Sequence, residues 1–208
     1  MKKIITVGRE FGSGGRDIAK LVAEKLGISY YDKELITLAA KEGGYDPEIF
    51  EKVDERATNS FLYSLSMGNF VIDGGASITR ELPLADKLHL AQTETIRKLA
   101  QRESCVIVGR CANYLLREER GCVRVFIYGE KEQKVERVQK LYDLSREKAE
   151  SLIKKTDRAR ANYYSHYTGE NWADMRNFDL AINSSTMPFE AVAETIVDFV
   201  QRKERAAR

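Results

Sequence analysis

Four glycines fall within eight residues near the start of the chain, Gly8, Gly12, Gly14 and Gly15, and Arg16 and Asp17 follow at once. Glycines let backbone N–H groups approach and surround phosphate oxygens, and a helix starting behind them adds the partial positive charge of its N-terminus. A tight turn between a strand and a helix accounts for one or two of these glycines; four exceed what a turn needs. The segment Gly12-Ser13-Gly14-Gly15-Arg16 therefore reads as a cradle for phosphate. Other polar groups stand directly after apolar runs: Asp32 after Tyr31, Gly109-Arg110 after Val108, and Ser184-Ser185 after Asn183. Arg110 is either a phosphate contact or half of a structural salt bridge. Asp32 is either a functional carboxylate or a turn or helix cap.

For these groups to act together, the elements that carry them must deliver them to one edge. Ile4-Ile5-Thr6-Val7 is a β-branched run that reads as a strand buried on both faces. A helix begins near Arg16, with Ile18, Leu21, Val22 and Leu26 on one face and Gly27 as its stop. Ile28–Tyr31 reads as a short strand and Glu34–Glu42 as a helix. A long helix over Asp86–Arg102 precedes a strand over Cys105–Val108, a short helix over Ala112–Glu118 and a strand over Val123–Tyr128. Two charged helices, about Glu130–Leu141 and Arg146–Asn162, lead to a last strand over Asp179–Asn183. Pro188 then opens an amphipathic helix whose buried stripe is Phe189, Val192, Ile196, Phe199 and Val200. Residues 43–85 read as inserted helices and loops, with Asp46-Pro47 a helix start and Met67-Gly68-Asn69 and Gly74-Gly75 breaks. Strands alternating with helices imply a parallel sheet covered on both faces, which binds ligands at the carboxyl ends of its strands. The groups named above all fall at such ends.

At 208 residues, 43% hydrophobic and 32% charged, the chain has the size and balance of one soluble globular domain. Its net charge of +2 comes from acids and bases mixed along the length. That argues against a nucleic-acid surface built on bulk charge and leaves room for a local arginine cluster. No apolar run approaches the ~20 residues that cross a bilayer. Ile4–Val7 is too short for the core of a signal peptide, so a cytoplasmic location is expected. Cys105, Cys111 and Cys122 show no CxxC or His-paired spacing and read as reduced core residues, and His89 and His166 lie far apart in the sequence.

The glycine segment resembles the P-loop of nucleoside monophosphate kinases, and the chain as a whole is most similar to the cytidylate kinase family, in particular its divergent stand-alone bacterial branch. Leu26-Gly27-Ile28-Ser29-Tyr30-Tyr31-Asp32 resembles that family's second strand, whose aspartate closes the monophosphate site. Val106-Ile107-Val108-Gly109-Arg110 resembles its Gly-Arg-Asp strand end, Asp157-Arg158-Ala159-Arg160 its lid segment, and Asp179–Ser185 with Pro188 its closing strand and helix. The resemblance implies an α/β, three-layer P-loop NTPase fold, with a parallel sheet flanked by helices on both faces. It implies a single domain over residues 1–208, with a helical monophosphate-binding insertion at about 33–85 and a lid-like region at about 130–175. It further implies ATP and Mg²⁺ as cofactors, and phosphoryl transfer to a nucleoside monophosphate such as CMP or dCMP. Nucleotide substrates would then be the partners, with no nucleic-acid polymer and no membrane. The aromatic group Tyr163, Tyr164, Tyr167 and Trp172 reads as a packing or subunit contact rather than a base-stacking platform, which leaves a homo-oligomer open.

The chain departs from the family pattern at named positions. Against G-x-x-x-x-G-K-[ST], Arg9 stands at the first glycine, Gly15 at the lysine and Arg16 at the hydroxyl residue. Arg16 would supply the missing positive charge, although an arginine cannot ligate a metal. Asp17 is then the candidate for Mg²⁺, directly or through water, unless it only favours the helix dipole. Asp32-Lys33-Glu34 replaces Asp-Ser-Gly, Cys111 replaces the aspartate after Gly109-Arg110, and Ile36, Thr37 and Leu38 stand where an arginine is expected.

By resemblance, Gly12 to Asp17 hold ATP phosphates, while Arg16, Arg158 and Arg160 stabilise transition-state charge. Asp32, Gly109 and Arg110 place the acceptor. Asp157 orients a sugar or the lid, or pairs with Lys154 at i,i+3. Arg137, on a highly charged segment, reads as a solvated surface residue. Two other functions stay open: a nucleotide-binding regulatory protein without turnover, and a kinase with another small-molecule acceptor.

Overall fold

Short β-branched runs, each followed by a helix, give a five-stranded parallel sheet in the order β2-β3-β1-β4-β5. The computed structural model describes residues 2–32, 34–44 and 83–206, so the helix start expected at 46–47 and the breaks expected at 67–69 and 74–75 lie outside the described residues. In chain order the elements are β1 (Ile4–Arg9), α1 (Gly15–Leu26), β2 (Ser29–Tyr31), α2 (Glu34–Gly43), α3 (Leu84–Arg102), β3 (Cys105–Val108) and α4 (Ala112–Leu115). They continue as β4 (Cys122–Tyr128), α5 (Lys131–Tyr142), α6 (Arg146–Thr168), β5 (Leu180–Asn183) and α7 (Phe189–Ala206).

β1 is central. Val7 lies opposite Val108 of β3 and Val125 of β4, so the three strands run in register to a common carboxyl edge. Side chains alternate across the pleat and supply two apolar layers. Ile5, Val106 and Val123 face Ile18 and Val22 of α1 and Val192 and Ile196 of α7. Ile4, Cys105 and Cys122 face Leu35 of α2, Ile96 and Leu99 of α3, and Leu116. Gly27 closes α1 in the left-handed conformation, φ +61°, with its N–H on the carbonyls of Ala23 and Glu24. The three cysteines are buried and free, as their spacing implied. Among the described residues no helix is long and apolar enough to cross a membrane.

Several boundaries differ from the sequence reading. The helix expected over Ala112–Glu118 stops at Leu115, because exposed, charged residues follow and the chain turns through Gly121 at φ +87°. The helix expected to end at Asn162 runs to Thr168, where Gly169 caps it at φ +72°. Packing carries it on. The Tyr167 ring stacks on His89 of α3 at 3.6 Å, and the Tyr163 hydroxyl lies 2.9 Å from His89 Nδ1. His89 and His166, distant in sequence, thus meet on the same tyrosine. The expected aromatic group divides, since Trp172 packs on Phe126 of β4 instead. The last strand starts at Leu180 because the Asp179 carboxylate is drawn to Arg124 at 2.9 Å and Lys203 at 3.1 Å.

Ile196 is fully buried where α7 meets α1 and the sheet. Ile196→Ala is expected to lose about 2–5 kcal/mol of stability, checked by urea unfolding followed by far-UV circular dichroism.

Candidate phosphate site at the carboxyl edge of the sheet

Between β1 and α1 the chain makes a loop that is fixed from four sides. The Glu10 amide extends the β1–β4 pairing by donating to Ile127 O at 3.0 Å. The Phe11 amide donates to Asp157 Oδ1 on α6 at 2.7 Å. Ser184 Oγ, just past β5, lies 2.7 Å from Ser13 O and 2.9 Å from Tyr128 O, sharing its hydrogen between them. Glu10 Oε2 accepts from Lys134 Nζ of α5 at 2.7 Å and from the Gly129 amide at 3.2 Å. Inside the loop, buried Ser13 donates to Glu10 O and accepts from the Gly15 amide. The N–H groups of Gly12, Ser13, Gly14 and Arg16 find no acceptor among the described residues. Gly14 sits at φ +73°, and a Cβ there would fall 2.1 Å from the Phe189 ring at the start of α7, so only glycine lets that helix close on the loop. A fixed concave loop with amides unpaired among the described residues, at a helix N-terminus, has the geometry that suits an anion.

Beside it, guanidinium groups gather around one buried carboxylate. Arg16 Nε lies 2.5 Å from Asp32 Oδ2, and Arg9 Nη2 lies 3.9 Å from Asp32 Oδ1. Arg160 Nη1 donates to Arg9 O at 3.0 Å and sits 3.5 Å from Asp157. Burial, then the charges of Arg160, Arg110 and Arg16, push Arg9 down to about 9, against the pull of Asp32. Arg160 is lowered too, chiefly by burial. The edge therefore holds more positive charge than its own carboxylates balance, and an incoming phosphate would relieve it.

Asp157 accepts from the loop and pairs with Arg160, not with Lys154 as its spacing also allowed. Burial pushes its carboxyl up to about 6, although the Phe11 amide, Arg160 and Lys134 all favour the ionised form. Asp17, the expected Mg²⁺ residue, is instead paired with Arg137 of α5. Arg16 stands where a hydroxyl ligand would be, and among the described residues no three His, Cys, Asp or Glu side chains are grouped to hold a cation. A cage of three protein ligands around a cation is thus absent among the described residues, and a Mg²⁺ ion here would depend on the donor phosphates and at most one or two carboxylates.

Two cavities flank the loop. One, of about 530 Å³, lies between α5 and the segment after β5, lined by Ser13, Lys134, Arg137, Ser184, Ser185 and Phe189. The other, of about 460 Å³, is lined by Arg9, Phe11, Gly15, Arg16, Tyr142 and Arg160. Arg137 borders both, its guanidinium 4.6 Å above the Phe189 ring.

Of the expected site residues, the structure brings Gly12–Asp17, Asp32, Asp157 and Arg160 to one region, and Arg110 is close enough to act on Arg9. Gly109 and Arg110 turn away from β3 at φ +76° and +55°. Arg158 is exposed on α6, outside the cluster. The sequence reading missed Arg9, Glu10, Lys134 and the inward role of Arg137. A cation at the last position of a buried strand was the one available signal for Arg9. Lys134 and Arg137 sit on a helix whose charge looks like solvated surface.

The chain matches the cytidylate kinase-like family over residues 4–186. It is 26% identical over 207 residues to a cytidylate kinase of Archaeoglobus fulgidus, covering 96% of both chains. A solved structure of an uncharacterized protein from Eubacterium ventriosum superposes with a TM-score of 0.71 at 28% identity, over 96% of this chain and 99% of that one. Shikimate kinase from Acinetobacter baumannii, in complex with shikimate, shares the fold alone, with a TM-score of 0.52 at 16% identity over 97% and 94% of the two chains. The architecture is that of the P-loop kinases.

The raised Asp157 carboxyl makes a signed prediction. Folded, it keeps its proton up to about pH 6; unfolded, it ionises near an ordinary value of about 4. The folded state thus binds the extra proton between those values, and stability falls as pH rises through about 4 to 6. Asp157→Asn keeps an oxygen to accept from Phe11 and cannot ionise. Urea midpoints measured from pH 4 to 7 should fall less steeply in this variant than in the parent protein; equal slopes would remove the assignment.

Proposed function

Because the chain belongs to the cytidylate kinase-like family, we propose that it is an ATP-dependent phosphotransferase acting on a nucleoside monophosphate, CMP or dCMP. The observation that carries this reading is the meeting, at one sheet edge, of free loop amides with the guanidiniums of Arg9, Arg16 and Arg160. In this reading the amides of Gly12 to Arg16 cradle the donor phosphates. The nucleoside of ATP occupies the 530 Å³ cavity between Arg137 and Ser184–Ser185, a volume in the range of small-molecule sites. Asp32, Gly109 and Arg110 place the acceptor at the ends of β2 and β3.

An acceptor phosphate oxygen attacks the γ-phosphorus in line. The new P–O bond forms as the bond to the β–γ bridging oxygen breaks, and ADP leaves with that electron pair. Arg16 and Arg160 stabilise the charge spread over the transferring group, and Arg158 joins them only if the lid helix moves, since its side chain starts from the exposed face. No covalent intermediate is needed; positioning and electrostatics carry the rate.

One observation favours a second reading, a nucleotide-binding protein without turnover. Arg16 and Asp32 are already paired at 2.5 Å, and position 15 lacks the usual lysine. The same fold serves many roles, and only the site can choose between them.

The test is ADP release from ATP and Mg²⁺ with a panel of nucleoside monophosphates. CMP- or dCMP-dependent turnover is expected, with Arg160→Ala lowering kcat by about 10²–10³-fold, as for loss of one preorganised charge donor. ATP binding without stimulation by any monophosphate at high enzyme concentration would favour the second reading. Stimulation only by other small acceptors would keep the kinase and replace its substrate.

A further inference from the structure

We propose that Arg9 is the cation that holds the donor phosphates, its side chain having taken over both the space and the charge of the lysine that the P-loop pattern puts at position 15. The proposal rests on reading this edge as a nucleotide-phosphate site. Its basis is steric. A Cβ at Gly15 would lie 2.5 Å from Arg9 Cβ and 3.2 Å from Arg9 Cγ, far inside contact distance. Two side chains cannot occupy positions 9 and 15 together. The pattern resolves this with glycine first and lysine later; this chain has arginine first and glycine later. The two departures are one coupled exchange.

The arginine also reaches the right place. Its stem runs past Gly15, and its head lies over the end of β3, where a Cβ at Gly109 would fall 2.2 Å from Arg9 Nη1. Gly109 is thus the opening through which the guanidinium passes. There it borders the 460 Å³ cavity together with Gly14, Gly15, Arg16 and Arg160. Its only counter-ion among the described residues is Asp32, at 3.9 Å, and its guanidinium makes no hydrogen bond to them. Arg16 borders the same cavity and shares the counter-ion but is more tightly held and more exposed. It is held by Asp32 at 2.5 Å, and its side chain is 54% exposed against 18% for Arg9. Arg9 is therefore the partly buried cation with donors to spare, and a guanidinium fork suits two oxygens of one phosphate where an ammonium meets them as a point charge. Arg16, already paired with Asp32, would meet the transferring group only by giving up part of that contact.

The exchange can be reversed, which separates it from a merely structural role. Calorimetric titration of the full chain with ATP and with inorganic tripolyphosphate gives affinity, and thermal melting gives stability. Arg9→Ala is expected to bind both anions about 10- to 100-fold more weakly, without a lower melting temperature, because a cation among cations is removed. Arg9→Lys should recover part of the affinity. Gly15→Lys alone should melt lower, since its side chain lands on Arg9. The double variant Arg9→Gly with Gly15→Lys should regain stability over that single variant and affinity over Arg9→Ala.

Wild-type affinity in Arg9→Ala would overturn the proposal, as would a double variant no better than the single ones, or a wild-type chain that binds neither anion. Arg9-dependent binding of tripolyphosphate in a protein that phosphorylates no monophosphate would uphold the assignment while removing the kinase reading. Monophosphate turnover with Arg9-independent binding would do the reverse.

Discussion

Repulsion between like charges, held in check by two carboxylates, governs the carboxyl edge of this sheet. Arg9 comes from the end of β1, Arg16 from the first turn of α1, Arg110 from the end of β3 and Arg160 from the middle of α6. Asp32 meets the first two and Asp157 the last. Guanidiniums brought this close in a partly desolvated edge would separate if the chain let them. They stay because each is anchored to an element buried elsewhere: β1 and β3 in the middle of the sheet, α1 under α7, α6 against α5 and α3. The apolar layers thus do electrostatic work. They keep a field at the edge that water or an anion must answer.

The backbone carries part of the same tension. Gly109, Arg110 and Cys111 follow one another with φ of +76°, +55° and +56°. Glycine adopts such angles freely, but each non-glycine residue costs on the order of 1 kcal/mol or more. The run persists because both sides are fixed: Val108 and Ala112 are fully buried and Cys111 nearly so. The result is an abrupt exit from β3 that leaves room for the Arg9 head beside Gly109 and points the chain into α4.

Sequence pattern revealed the sheet and its edge because the signals there are local. Apolar β-branched runs marked β3 and β4 to within a residue and β1 to within two, and Gly27 and Pro188 marked where helices stop and start. Asp32 and Arg160 were legible through their placement beside a strand end and in a lid-like segment. What was not legible depends on partners far along the chain. Nothing near Asp157 announces that its carboxylate holds the Phe11 amide, and nothing in the charged α5 distinguishes Lys134 and Arg137, which face the loop, from the exposed Lys131 and Lys140. The length of α6 was underestimated because its last two turns are set by stacking on His89 rather than by propensity. Arg9 was seen as a missing glycine. Its meaning appeared only with the distance from its stem to Gly15.

The loop's fixings span the chain: Phe11 to Asp157 across 146 positions, Ser13 to Ser184 across 171, Glu10 to Lys134 across 124. Synthesis proceeds from N- to C-terminus, so the glycine segment leaves the ribosome well before Lys134, Asp157 and Ser184, and it acquires its shape only when they arrive. β1 and α1 can form early from local preference. The concavity between them cannot, because closing such long loops costs entropy that only the completed domain repays. A nascent chain would accordingly carry the glycine loop unshaped from the synthesis of β1 until that of β5, and the loop's final form would mark the arrival of Ser184.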